Sequence, residues 1–418
     1  MSSFSIALSG LTAASSDLDV TANNIANADT VGFKSSRAEF ADVYASGAVN
    51  LNTSVVGEGV RLADTAQQFT QGNITTTSSN LDLAISGDGF YTLQDANGIV
   101  YSRNGQFSED SNGNVVSSTG QALQVYPPLV NGGFNTGALS DLNLQTAQSA
   151  PLASSTGSVI LNLPAGASPP TVAPFDPTNS QTYNQSTSTT VYDSLGNSYP
   201  ATFYFSAVAA APAAVPPVPP NTWAVNMTIN GTAVGAAQNL TFNSAGAVTV
   251  PVGGGLSFAG FQPPDGANAM SLAFNFGSTT QFGGSFGVTS ITQNGYATGQ
   301  LSTVAIDSAG IVSAVYTNGR STQLGQLAMA NFPNPQGLEQ LGDTNWSQTF
   351  SSGDAVQGTA GSAGFGSIQA GALESSNVDL TTELVNMITA QRSFDANAQV
   401  ITTANQESQT VISMNQGG

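Results

Sequence analysis

Apolar residues follow a helical rhythm at the two ends of the chain. Over residues 4–28 and 378–412 they recur at alternating spacings of four and three, which places them on one stripe of an α-helix. A helix cannot bury its own stripe, so each stripe needs a partner, either the other chain end or a neighbouring subunit. The stripe positions are Phe4, Leu8, Leu11, Leu18 and Ile25 in the first segment and Leu380, Leu384, Met387, Phe394 and Ile401 in the second.

Between these segments the pattern is that of strands and turns. Apolar and polar residues alternate from Leu81 to Ile85, and Asn-Gly pairs at 97, 104 and 112 mark closely spaced turns. The same turn-rich pattern resumes at about residue 291. We therefore expect one discontinuous inner β domain, made of residues 73–145 and 291–360.

The block between these two parts has a different composition. Residues 146–290 are rich in Ala, Thr, Ser, Gly and Pro, which predicts an outer β domain inserted into the inner one. Five prolines make residues 209–220 a loop. Strands are expected at 188–193, 201–206, 222–229 and 271–276.

The remaining residues divide into helical and linking parts. Residues 1–29 and 374–418 form a terminal helical domain, and 30–72 with 361–373, which lack clear periodicity, form an extended connector. The fold class is therefore α+β and mostly β: helical ends, with two β-rich domains of which the second is inserted into the first.

Charge and composition remove several classes of function. With 6 basic and 25 acidic residues the net charge is −19, which disfavours nucleic acid and anionic membrane as partners. The chain has no Cys and no His, which excludes disulfides, a catalytic triad and an ordinary zinc site, and we expect no cofactor and no metal. Residues 1–20 lack Lys and Arg, so if the chain leaves the cytoplasm we expect it to do so without a cleaved signal peptide.

The chain ends also carry motifs. Asn23, Asn24 and Asn27 precede Gly32, Phe33 and Lys34, while Asn377, Asp379, Gln391 and Arg392 lie in the C-terminal segment. Both segments resemble the signatures of the axial rod and hook family of the bacterial flagellum. The resemblance extends to Tyr101–Gly105 and to Thr190–Asn197, the latter in a block that rod proteins generally lack.

The resemblance implies a structural protein and not an enzyme. It implies a subunit of the extracellular flagellar hook, which self-assembles through an intersubunit coiled-coil core of terminal helices into a curved, flexible tube that transmits torque from rod to filament. The implied partners are further copies of the chain, the distal rod, the hook cap, the hook-length control protein, the hook-filament junction protein and the flagellar type III export apparatus.

Two other functions stay open at this point. A distal rod subunit of the basal body would share both end motifs, although the 146–290 block argues against it. A secreted β-rich adhesin, or a glycosidase with paired carboxylates, would need no paired helical stripes. Lys34, the single lysine, could anchor an acidic partner or end the connector in solvent.

Overall fold

The computed structural model describes residues 3–43, 57–145, 148–210 and 221–416. These residues form two compact units. The first unit contains residues 1–145, 303–314 and 321–418, and the second contains 146–302 and 315–320. The sequence analysis had placed 291–302 and 315–320 in the inner domain, because the turn-rich pattern there continues across the division without a change that marks it.

Each end of the chain is an α-helix, which confirms the two predicted helices. Helix α1 spans Ser3–Ala26, and helix α2 spans Leu380–Gln416. Asp379 caps α2: its carboxylate accepts the backbone N–H of Thr381 and the hydroxyl of Thr382, both at 2.9 Å. These bonds satisfy donors that the first helical turn leaves free.

The predicted connectors contain paired strands. Strands β1 (Ser36–Asp42) and β2 (Val60–Gln67) form an antiparallel pair. Further along, β3 (Ile74–Thr76) pairs with Ala372–Glu374, and β4 (Leu83–Ser86) pairs with Ser367–Ala370. The two passes of the chain thus pair directly with each other. The sequence predicts an extended connector here but not its pairing, because these strands lack clear alternation and their partners are distant in sequence.

The largest sheet among the described residues has twelve strands and draws on both halves of the first unit. Its long strand, Ser321–Asn331, pairs with Phe90–Asp95 and with Ala122–Tyr126. The remaining strands of the unit, numbered in chain order with these, are β5 (Phe90–Asp95), β6 (Gly98–Ser102), β7 (Phe107–Glu109), β8 (Val115–Ser117), β9 (Ala122–Tyr126), β10 (Ser140–Asp141), β22 (Leu301–Ile306), β23 (Ile311–Tyr316), β24 (Ser321–Asn331), β25 (Glu339–Gly342), β26 (Asn345–Ser347), β27 (Val356–Thr359), β28 (Ser367–Ala370) and β29 (Ala372–Glu374).

Two apolar clusters stabilise the first unit. One is mainly aliphatic and lies on the sheet around Leu93, Leu123 and Leu327, all fully buried. The other is aromatic, with Phe69, Phe90 and Trp346 meeting edge to face at ring-centroid distances of 5.4–5.7 Å. Phe69 comes from the segment after β2, so this aromatic contact joins the connector to the sheet.

The second unit consists of two sheets around one aromatic core. In one sheet the strand Thr156–Pro164 pairs in parallel with Met270–Asn275 and Thr280–Phe282 and antiparallel with Gly287–Gln293. Predicted loop residues 211–220 lie outside the described residues. The strands of the unit are β11 (Thr156–Pro164), β12 (Gln185–Tyr192), β13 (Ser198–Val208), β14 (Thr222–Ile229), β15 (Thr232–Ala233), β16 (Gln238–Phe242), β17 (Val248–Val250), β18 (Gly255–Phe261), β19 (Met270–Asn275), β20 (Thr280–Phe282) and β21 (Gly287–Gln293).

Phe203 is central to this core. Its ring is fully buried and contacts those of Phe258, Phe274 and Phe276 at centroid distances of 4.9–6.1 Å. We predict that Phe203→Ala lowers the free energy of unfolding of the second unit by about 3–5 kcal/mol, through lost burial and the cavity left behind. The two tryptophans, Trp223 and Trp346, lie in different units and report denaturation of each one separately.

The matched control is Phe282→Ala, which removes a ring that is 53% exposed and is expected to cost far less. The expected result is a shift of the Trp223 transition alone, read in a Trp346→Phe background. An equal shift of the Trp346 transition, read with Trp223→Phe, would contradict independent unfolding of the units.

Candidate assembly site at the chain ends

Helices α1 and α2 pack against each other as an antiparallel pair. The Asn24 amide donates to Glu383 Oε1 at 3.3 Å near one end, and the Asn397 side chain packs against Gly10 towards the other. The two helices therefore pack against each other within one molecule. This pairing was one of the two that the sequence analysis considered for the stripes.

The buried face of α1 is not the predicted apolar stripe. Small or polar residues are buried instead, at Ala7, Ala14, Thr21 and Asn24. Their small side chains let the neighbouring elements approach the helix closely. Of the predicted stripe residues, Leu11, Leu18 and Ile25 are half-buried, whereas Phe4 and Leu8 are exposed.

Helix α2 divides its predicted stripe between two faces. Met387, Phe394 and Ile401 are half-buried at spacings of seven residues, along the side that carries the fully buried Ala390. Leu380 and Leu384 lie outside this contact, and with Ile388 they form an apolar row that we call the outer strip. Its three side chains are 47%, 50% and 50% exposed in the order Leu380, Leu384 and Ile388.

Two asparagines of the end motifs connect the helices to the β1–β2 region through hydrogen bonds. Asn24 Oδ1 accepts the N–H of Ser36 at 2.9 Å while its Nδ2 donates to the carbonyl of the same residue at 2.8 Å. Asn377 Oδ1 accepts the N–H of Ser35 at 2.7 Å, and its Nδ2 donates to Gln68 O at 2.7 Å. Each amide thus takes the place of a strand partner for main chain that would otherwise lack one.

Beneath these asparagines lies a buried group of charges, Lys34, Glu374 and Arg103, which we call the charge cluster. Lys34 Nζ donates to Glu374 Oε1 at 2.7 Å, and Arg103 Nε lies 3.6 Å from Glu374 Oε2. The three side chains are at most 3% exposed. Backbone groups complete the shell: Lys34 also donates to Thr70 O at 2.8 Å, and the Gly72 N–H donates to Glu374 Oε1 at 2.9 Å.

The position of Lys34 corrects the expectation that it ends the connector in solvent. Its acidic partner is Glu374, from the other end of the chain. Burial, together with the nearby positive charge of Arg103, lowers the pKa of the Lys34 ammonium, and Glu374 acts in the opposite direction. A lysine placed here is stable only with that carboxylate beside it, because an unpaired buried charge is costly.

Gly32 makes this arrangement possible. Its φ of +70° is a conformation that other residues rarely adopt, and a Cβ there would lie 2.6 Å from the backbone nitrogen of Asn104. Its N–H donates to the carbonyl of Glu374 at 2.8 Å. The neighbouring Phe33 is buried. The glycine therefore lets the chain pass close enough to the sheet for Lys34 to enter it.

The other motif residues lie at the surface or near it. Asn27 donates to Asn23 O at 2.9 Å within the last turn of α1. Gln391 and Arg392 are exposed on α2. Sequence reasoning did not single out Arg103 and Glu374 as site residues. The available signal was the scarcity of basic residues, six in all, of which Lys34, Arg103 and Arg392 lie in family-like segments.

Asp17 lies in a polar cavity of about 360 Å³ between α1, α2 and β1, whose lining includes Glu383 and Arg37. Burial raises the pKa of the Asp17 carboxyl above its ordinary value of 3.8. Among the residues that the structure describes, no group of three acidic side chains could hold a metal ion, and no helix is long and apolar enough to cross a membrane.

Family models match the chain in four places. The model for "Flagella basal body rod protein" matches residues 4–34, and that for "Flagellar basal body rod FlgEFG protein C-terminal" matches 369–414. Between them, the "Flagellar hook protein FlgE/F/G D1 domain" model matches 84–168 and the "Flagellar basal body protein FlaE D2 domain" model matches 162–296. These matches define an axial protein of the bacterial flagellum.

Relatives that match the chain over nearly its whole length show which axial protein it resembles. The flagellar hook protein FlgE of Escherichia coli K12 is 40% identical over 98% of this chain and 99% of its own, and that of Salmonella typhimurium is 39% identical over 99% and 100%. The hook protein FlgE2 of Helicobacter pylori shares the fold, with a TM-score of 0.51, 14% identity and coverage of 72% of this chain and 100% of its own. The chain belongs to the flagellar hook protein family.

The charge cluster gives a prediction for stability. Glu374→Gln leaves Lys34 and Arg103 without their shared carboxylate, and we expect it to lower the free energy of unfolding of the first unit by about 3–5 kcal/mol. The control is Glu39→Gln, which breaks the exposed Arg37–Glu39 pair and is expected to cost less than about 1 kcal/mol. Denaturation followed by Trp346 fluorescence measures both, and equal losses would contradict a structural role for the cluster.

The Asp17 carboxyl gives a prediction for pH dependence. Because its pKa is raised in the folded chain, its contribution is most favourable below the ordinary value of 3.8 and is lost as the pH rises through the raised folded value. We therefore expect the helices of Asp17→Asn to be more stable than those of the parent chain only at pH values above the raised pKa of Asp17. Thermal unfolding followed by helical circular dichroism at several pH values tests this, and a pH-independent difference between the two proteins would refute it.

Proposed function

We propose that this chain is the structural subunit of the bacterial flagellar hook and self-assembles into a curved, flexible tube that transmits torque from the rod to the filament. Relatives that carry the hook protein name and match the chain from end to end support this proposal most directly. The assignment is to an extracellular, structural component of the flagellum and not to an enzyme family.

The outer strip supplies the surface through which copies join. Small residues close the inner side of the helix pair, and about half of the surface of Leu380, Leu384 and Ile388 stays exposed in the monomer. Burying such side chains is worth about 25 cal/mol per Å² of apolar surface removed from water. In a polymer every subunit offers the same strip, so each contact is repeated along the whole assembly.

Charge argues for the same mode of assembly. Copies that each carry a net charge of −19 repel one another, and attraction between oppositely charged patches is poorly available with six basic residues. Two of those six, Lys34 and Arg103, are buried within the chain. Apolar contacts between helices therefore supply the cohesion, and the coiled-coil core implied by the sequence rests on the outer strip together with Phe4 and Leu8.

The second unit suits a surface that must rearrange as the tube bends. A curved tube of identical subunits requires different packing on its inner and outer sides. Contacts among small polar side chains, often bridged by water, can be exchanged for similar contacts at little cost. With 7% charged residues the chain offers few directional ion pairs that would favour one packing.

The remaining partners follow from the hook assignment. We propose the distal rod, the hook cap, the hook-length control protein and the hook-filament junction protein as contacts of the polymer, and the type III export apparatus as its route out of the cell without a cleaved signal. The rod alternative is disfavoured by the match of residues 162–296 to the D2 domain model. Nothing in the described structure favours the adhesin or glycosidase.

The outer strip is tested by Leu384→Asp. A carboxylate at this half-exposed position leaves the helix pair of the monomer intact but would have to be desolvated in the polymer, so we expect the critical concentration for polymerisation to rise at least about tenfold. Sedimentation and negative-stain microscopy of the purified chain measure it. Leu384→Met, which keeps the position apolar, is the matched control.

Comparison of Met387→Asp with Leu384→Asp distinguishes the roles of the two faces of α2. Met387 lies on the inner face, so its replacement should reduce the helix content of the monomer as well as its polymerisation, whereas Leu384→Asp should affect polymerisation alone. Normal tubes from Leu384→Asp at the parent concentration would show that the outer strip is not an interface.

A further inference from the structure

Three buried polar atoms in or beside the charge cluster have no hydrogen-bond partner among the described residues. They are Arg103 Nη1, Glu374 Oε2 and Tyr91 Oη. Tyr91 lies on β5 and is fully buried, so bulk solvent does not reach its hydroxyl. Buried polar groups in folded proteins almost always have a partner, either protein or internal water. Three unsatisfied groups in one cluster therefore indicate a shared ligand.

Arg103 and Glu374 do not satisfy each other directly. Arg103 Nε and Glu374 Oε2 are 3.6 Å apart, beyond ordinary hydrogen-bond length, although Arg103 is held in place by a 2.9 Å bond from Nη2 to Gly87 O. The fields of both charges act on the Tyr91 hydroxyl, and burial raises its pKa, so the hydroxyl keeps its proton. The Arg103 side chain also borders a cavity of about 260 Å³.

The types of the three groups identify the ligand. Arg103 Nη1 can only donate a hydrogen bond, the ionised Glu374 Oε2 can only accept one, and a tyrosine hydroxyl does either. A halide could accept from the arginine but would be repelled by the carboxylate, and a metal cation would be repelled by the two basic side chains. Water both donates and accepts.

We propose that one internal water molecule bridges Arg103 Nη1, Glu374 Oε2 and Tyr91 Oη and completes the contacts by which the charge cluster joins three segments of the first unit. Such a water makes about three hydrogen bonds, the number available here. Through it, Glu374 contacts β5 as well as the Lys34 and Arg103 segments. The inference concerns the folded monomer and holds whether or not the chain forms a hook.

Removal of one hydroxyl tests the bridge. If the Tyr91 hydroxyl is truly without a partner, Tyr91→Phe deletes a buried unsatisfied group and should leave Tm unchanged or raise it. If a water bonds to it, the variant loses that bond, and Tm of the first unit should fall by about 2–4 °C. An unchanged or higher Tm would overturn the proposal.

The matched control is Thr92→Val, which removes the unpartnered buried hydroxyl of the adjacent residue, on the opposite face of β5. We expect its Tm to stay level or rise. A fall in Tm with Tyr91→Phe but not with Thr92→Val supports a water bound specifically at the cluster. An equal fall in Tm in both variants would count against such a water.

A structure of the full chain at a resolution that shows ordered waters gives an independent readout, which also serves if Tyr91→Phe fails to fold. Density for a single water within hydrogen-bond distance of all three atoms is the expected result. Direct contact between Arg103 Nη1 and Glu374 Oε2, or a halide at this position, would overturn the proposal.

Discussion

The carboxylate of Glu374 is the contact on which the rest of the molecule depends. It lies two residues beyond the start of β29, and it binds a lysine that follows α1 and faces an arginine that follows β6. The segments that carry these three groups come from the beginning, the middle and the end of the first unit. An unpaired buried charge strongly destabilises the folded chain. The cluster is therefore stable only when all three segments are in place together.

The attachment of the helices to the strands explains why one face of each terminal helix is buried while the other stays exposed. Asn24 and Asn377 fix the ends of α1 and α2 on the strands below, and small residues on α1 close the contact between the helices. The bulky apolar residues are therefore not all needed to hold the monomer together. Those left outside are available to neighbours, which is what a self-assembling subunit requires and what a monomeric protein avoids.

The sequence predicted the parts of the fold that local patterns determine. The helices are confirmed because their apolar rhythm is a property of adjacent turns, and strand β14 lies at 222–229 as expected. Local patterns do not predict pairing between distant segments. Strand β1 pairs with β2 without a turn signal that would join them, and Lys34 meets Glu374 across a separation of 340 residues. The buried face of α1 was missed because Ala7, Gly10 and Ala14 carry little hydrophobic signal, although their small size decides how closely α2 can approach.

The central claim is that one arrangement of the chain ends serves both the monomer and the polymer: the charge cluster stays closed while the outer strip binds a neighbour. Cryo-electron microscopy of the assembled tube, with side chains resolved at the helices, tests it most directly. The account predicts Glu374 between Lys34 and Arg103 in every subunit, and Leu380, Leu384 and Ile388 in contact with an adjacent copy. Subunits with Glu374 separated from Lys34, or with these three side chains facing solvent, would contradict it.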